Sequence, residues 1–171
     1  MEILVAIGIG AVLLAVILPT LQGSIEQSRI TKMATDLTAI SEALRAYEKH
    51  VGTYPLDLSQ LNTRPVAGTD KNSCGVVLTA EEVALWRGPY LPTPPPYFEG
   101  EDTIFGNLKR KAASTKNPDI LQVSIRQPPT STALALDSIF DGDQVLTAGT
   151  ITWTNNTFPN QVLFSIPIPG C

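Results

Sequence analysis

Charge is scarce in this 171-residue chain. Asp, Glu, Lys and Arg make up only 16% of it, and 12 basic residues against 16 acidic ones leave a formal charge of −4. So thin and negative a surface excludes a general polyanion binder, and no nucleic-acid partner is expected. Hydrophobic residues reach 43%, which also excludes a disordered chain, because apolar surface is plentiful and little charge opposes collapse. The single histidine, His50, and the two cysteines, Cys74 and Cys171, with no C-x-x-C, supply neither a structural zinc set nor a thiol redox motif. There is no G-x-S-x-G, no His-rich cluster and no phosphate-binding glycine loop. Without a catalytic constellation the chain reads as a non-enzyme that requires no cofactor. Proline is nearly absent from the first third: Pro19 is the only one of 14 before Pro55. A rod followed by one turn-rich head, at a length suited to a single domain, is the organisation this implies.

The rod begins with a long apolar run. Every residue from Ile3 to Leu18 is apolar or glycine, and no charge lies between Glu2 and Glu26. As a helix this uncharged stretch is about 35 Å long, comparable to the hydrocarbon core of a bilayer. A cleaved secretory signal does not fit, since Glu2 precedes the run and Pro19-Thr20-Leu21 follows it, where basic residues and a small-x-small site belong. Beyond Pro19 a helical apolar spacing continues through Leu21, Ile25, Met33, Leu37, Ile40, Leu44, Tyr47 and Val51, with charges between. His50 and Gly52 supply a C-terminal stop. Such a helix is about 70 Å long, nearly twice the width of any globule the remaining residues can build. Its apolar half must protrude, into lipid or against other copies of itself. Glu2 is then either a solvated terminal residue or a carboxylate that needs a cation. Pro19, with Gly8 and Gly10, marks either a kink or a segment able to unwind.

Glu2-Ile3-Leu4-Val5-Ala6-Ile7, the apolar run, Pro19 and the amphipathic continuation to Tyr47 resemble the N-terminal helix of type IV pilins and type II secretion pseudopilins. The resemblance covers about the first 55 residues. It implies a leader and three further mature residues ahead of Met1, a methylated N-terminal amine, and pairing of Glu2 with the amine of an adjacent subunit. It also implies that Gly8, Gly10 and Pro19 lie where the helix can melt in an assembled filament. Gly52-Thr53-Tyr54-Pro55 and Trp86-Arg87-Gly88-Pro89-Tyr90-Leu91 are similar to two pseudopilin segments. The Asp-Pro-Trp-Gly that follows in major pseudopilins is replaced by Pro92-Thr93-Pro94-Pro95-Pro96-Tyr97, which favours a pilus.

In the head, Thr79-Ala80-Glu81-Glu82 forms a capping box for a short helix to Trp86. Pro89 to Pro96 forces extended chain. Leu121–Ile125, Ile151–Trp153 and Val162–Ile166 read as strands, the last two joined by a hairpin connection at Asn155, Asn156 and Pro159. Ala133–Phe140 fits a short helix or a strand. The expected class is α+β: a long N-terminal helix over 1–51, with 1–25 as membrane or filament core and 26–51 amphipathic, packed on a small antiparallel sheet head over 52–171. A Cys74–Cys171 bridge in an oxidising compartment would close about 98 residues and restrict the unfolded chain by about 4–5 kcal/mol; two free thiols are the alternative. Asp137, Asp141 and Asp143 cluster around Gly142 like a calcium loop, although Ile139 and Ala148 break the EF-hand template and an Asp-Gly turn explains the cluster as well. Lys109-Arg110-Lys111 with Lys116 is a solvated basic face, and Asn155-Asn156-Thr157 matches a weak glycosylation sequon.

Together these readings give a structural subunit of an extracellular type IV filament. Copies would be held in the inner membrane, polymerised by assembly machinery and displayed on the bacterial surface as a homopolymer. A secretion pseudopilin and a single-pass anchored periplasmic binding domain are the alternatives.

Overall fold

A computed structural model describes the backbone of residues 2–92, 104–111, 119–126, 128–154 and 161–169, and the side chains of all of these except 2–23, 104–107 and 154. The fold is α+β. Helix α1 (Glu2–Val51) runs for 50 residues without interruption, and Gly8, Gly10 and Pro19 are all within it. Its seam is Ile30, Met33, Leu37, Ile40, Leu44, Tyr47 and Val51, all buried and spaced alternately by three and four. That rhythm keeps one narrow stripe facing a single direction. Ile25, expected in the stripe, is instead 68% exposed. Stepping back four residues from Ile30 reaches Glu26, so Ile25 falls one position off the seam. The helix ends as its sequence implies: Gly52, at φ +86°, donates its N–H to the Glu48 carbonyl at 2.7 Å, and Lys49 and His50 occupy the last turn.

Among the described residues no helix is long and apolar enough to cross a membrane. From Ser24 onward α1 is amphipathic, carrying Glu26, Arg29, Lys32 and Asp36. The apolar run behind the expectation of a spanning segment has its side chains outside the described residues. Two compact units are distinguished, Met1–Thr35 and Asp36–Cys171. Helix α1 ends at Val51, and the second unit contains both its last turns and the sheet.

Four antiparallel strands, β1 (Ile104–Lys111), β2 (Ile120–Arg126), β3 (Ile151–Thr154) and β4 (Gln161–Pro167), make one sheet of order β1-β2-β4-β3. Register places Leu108 beside Val123, Val123 beside Phe164, and Ile151 beside Phe164. The buried residues Leu108, Leu121, Val123, Ile125, Ile151, Val162, Phe164 and Ile166 therefore share one face. Lys109, Lys111, Ile120, Gln122, Ser124, Leu163 and Ser165 take the other, where the two lysines are exposed while Ser124 and Ser165 are buried. Strand β1 was not expected. Its register shifts between Ile104 and Leu108, and such an irregularity interrupts the two-residue alternation that announces a strand. The same strand corrects the basic face: Arg110 lies on the apolar side, ion-paired with the buried Asp119, while Lys109 and Lys111 are exposed opposite.

Helix α3 (Thr130–Phe140) resolves the helix-or-strand alternative. Ala133 and Leu136 are buried, and the Phe140 ring lies 4.9 Å from that of Phe164 on the apolar face. The 52–92 segment holds a 3-10 turn (Leu58–Leu61) and helix α2 (Ala80–Ala84). Its capping box is present: the Thr79 hydroxyl accepts the Glu82 N–H at 3.2 Å and the Glu82 carboxylate accepts the Thr79 N–H at 2.7 Å.

An aromatic cluster joins this segment to the end of α1. Tyr90 lies 5.7 Å from Tyr47, 5.6 Å from His50 and 5.8 Å from Trp86, ring centre to ring centre. Its hydroxyl accepts the Arg87 N–H at 3.0 Å and meets His50 Nδ1 at 3.1 Å. Trp86 donates its indole N–H to the Gln60 carbonyl at 2.9 Å. A Cβ at residue 88 would collide with the Trp86 indole, so only glycine fits there. Burial, then the Tyr90 charge, pushes the Tyr47 hydroxyl well above its usual range, and that buried hydroxyl has no hydrogen-bond partner among the described residues.

Two substitutions test this packing. Leu44→Ala, at a fully buried seam position, is expected to cost about 2–5 kcal/mol in urea unfolding. Tyr47→Phe removes an unpartnered hydroxyl and is expected to hold or raise the melting temperature; a loss above about 1 kcal/mol would reveal a partner for it.

Candidate functional site

The carboxylate loop between α3 and β3 is the most fully described of the expected sites. Asp137 stands in the last turn of α3 and is fully buried. Asp141 follows the helix and donates its N–H back to the Asp137 carbonyl at 2.8 Å. Gly142, at φ +77°, then turns the chain in a conformation that suits glycine. Asp137 Oδ2 and Asp143 Oδ1 converge on one donor, the Val145 N–H, at 2.9 Å and 3.0 Å. Asp141 reaches further, accepting the N–H of Thr150 at 2.8 Å and of Ile151 at 2.9 Å through Oδ2. Gly149 permits this approach, because a Cβ there would lie 2.6 Å from Asp141 Oδ2. The loop is thus a clasp that ties the end of α3 to the start of β3.

The electrostatics follow from these partners. Burial raises the Asp137 pKa above the carboxylate value of 3.8, and the hydrogen bond and charge of Asp143 raise it further. Burial alone would raise Asp141 too, but the N–H groups of Ile151 and Thr150 outweigh it and hold this carboxyl below 3.8. The structure brings Asp137, Asp141 and Asp143 into one loop, as expected, yet gives them amide donors to bind. Among the described residues no group of three His, Cys, Asp or Glu side chains is arranged to hold a metal ion. The three carboxylates build an Asp-Gly turn closed by backbone amides.

Other expected site residues are placed as follows. Glu2, Gly8, Gly10 and Pro19 belong to the continuous backbone of α1, with side chains outside the described residues. Cys74 is disulfide-bonded, whereas Cys171 lies outside the described residues, among which no cysteine is free. Lys116, Tyr97 and the proline run from Pro94, the hairpin connection and the sequon at Asn155–Thr157 also lie outside them. His50 serves the helix end and Tyr90. Sequence reasoning missed Gly149, Thr150 and Asp119; only the spacing of Thr-Ala-Gly-Thr after the Asp-Gly pair hints at the clasp. Neither a protein-family model, nor a curated protein, nor a solved structure matches the chain.

The two carboxylates titrate in opposite senses. A raised folded pKa means that Asp137 favours folding at acid pH, below 3.8, and that this contribution is lost as pH rises through the folded value. A lowered one means that Asp141 stabilises above 3.8 and loses that effect as pH falls. In thermal melts across pH, Asp137→Asn is expected to abolish the decline on the less acidic side, while Asp141→Asn costs about 1.5–3 kcal/mol at neutral pH through weakened bonds to Thr150 and Ile151. Calcium is expected to leave the melts unchanged, and a rise on adding it would return the loop to the cation reading. Gly149→Ala, combining φ +105° with the Asp141 contact, is expected to lower stability at every pH.

Proposed function

We propose that this chain is a structural subunit of a type IV pilus-like filament, polymerising through the first part of α1. One observation carries the reading: a single helix extends from Glu2 through Pro19 to Val51, and among the side chains described, from Ser24 onward, the buried seam begins at Ile30. Residues 24–29 are exposed or half-exposed, and the sequence ahead of them is apolar. An apolar helix of that length needs lipid or equivalent helices around it. Before assembly the inner membrane would supply the first environment; in the filament, identical neighbours supply the second.

Glu2 would then set register. An unpaired carboxylate in a dry bundle costs several kcal/mol, so a subunit enters favourably only where a neighbour's terminal amine meets it. Gly8, Gly10 and Pro19 lower helix stability there and give the bundle a segment that yields under load. No catalytic role is proposed. A secretion pseudopilin is the second reading, favoured by the way Tyr54 and the Trp86–Leu91 segment are built into the packing around the end of α1, with Tyr54 and Leu91 buried and Tyr90 against Tyr47.

Electron microscopy of sheared surface material is expected to show fibres containing this chain. Recovery only from inner-membrane fractions would favour the pseudopilin or a monomeric anchored binding domain. Glu2→Ala is expected to reduce fibres to background while the head keeps its melting temperature; normal fibres from that variant would remove the register argument.

A further inference from the structure

Two exposed apolar sites in the unit 36–171 each carry an exposed charge, Lys71 at the first, beside the half-exposed Asp70 that accepts the Val66 N–H, and Asp143 at the second, just past the end of α3. In the first, Val76 and Val77 are 60% and 40% exposed. Lys71 and Val77 are partners in an antiparallel bridge, which sets an exposed lysine beside the valine. This loop is held rigidly: Asn72 Oδ1 accepts the N–H groups of both Cys74 and Val76 at 3.0 Å, and Gly75 turns at φ +76°. In the second, Ile139 and Val145 are 51% and 52% exposed, next to the exposed Asp143, with the Val145 N–H fixed by Asp137 and Asp143. β-Branched apolar side chains held out in water on pre-ordered loops lose little entropy on docking.

We propose that these loops are the two halves of a head-to-head contact between copies of this chain, the Lys71–Val76–Val77 loop of one copy docking on the Ile139–Asp143–Val145 loop of the next. The inference rests on the filament reading and names surfaces by which its subunits join outside the α1 bundle. Charge selects the pairing. A symmetric contact of either loop with itself would oppose Lys71 to Lys71 or Asp143 to Asp143, whereas the mixed contact opposes lysine to aspartate. A contact between different patches is heterologous, and if its rotation does not close a ring it propagates a helical array, as a filament requires.

The test uses fibres of the full chain treated with a zero-length amine-to-carboxyl crosslinker and separated on a denaturing gel. A ladder of covalent oligomers containing a Lys71–Asp143 peptide pair is expected, since a link within one chain leaves monomer. Lys71→Glu is expected to lower both ladder and fibre yield about tenfold or more. Asp143→Lys in the same chain should restore them. Because Asp143 also binds the Val145 N–H, Ile139→Lys is the second rescue, placing the new cation beside the loop without touching that bond. A ladder lacking the pair, a Lys71 link to a different protein, undiminished Lys71→Glu fibres, or failure of both rescues in folded protein would overturn the contact alone. Absence of any wild-type fibre would overturn the filament reading and the contact with it.

Discussion

Burial of one narrow stripe at the carboxy-terminal end of α1 is the constraint on which the rest depends. Leu37, Ile40, Leu44 and Tyr47 are fully buried, each worth about 1.5–3 kcal/mol of removal from water. Among the described residues nothing else has comparable continuity. Among its described residues the sheet supplies eight buried ones on one face, but across four strands of which one shifts register and another is only four residues long.

Two clamps fix the ends of this core. At the end of α1, Tyr90 brings Tyr47, His50 and Trp86 around one ring, and the Gly88 position lets the connecting chain pass the indole. At the other, Asp141 gathers the Thr150 and Ile151 N–H groups and so sets where β3 begins. Both use side chains to satisfy backbone donors in turns, a local solution for segments that have no ladder partner. The buried Asp137, like the unpartnered Tyr47 hydroxyl in the first clamp, is a costly member. It keeps an oxygen without a partner among the described residues, beside two other carboxylates.

What was legible in the sequence had a period. Leu37 through Val51 announced themselves by spacing, β2 and β4 by alternation, and the α2 start by Thr79 and Glu82. Strand β1 was hidden because its register shift interrupts alternation and because Lys109, Arg110 and Lys111 look like one solvated run. Only register reveals that the middle residue turns inward to Asp119. Ile25 misled for the converse reason, being apolar at nearly the right interval. The three aspartates share one loop, and a carboxylate cluster that receives amides has the same composition as one that receives a cation. Their difference lies in Gly149 and Thr150, which no spacing rule connects to them. The placement of exposed Val76 and Val145 was likewise invisible, since exposure is decided by the fold.

The three-four rhythm has a mechanical corollary. A seven-residue repeat on a helix of 3.6 residues per turn falls back by about 20° each repeat, so the line from Leu37 to Val51 winds about 40° around its rod. A surface moulded to such an oblique ridge fits it at discrete settings only, separated by one full repeat, about 10.5 Å along the axis. Small slips would leave every knob facing the wrong hollow. A lengthwise shift of this ridge would therefore meet equivalent hollows only after a full repeat.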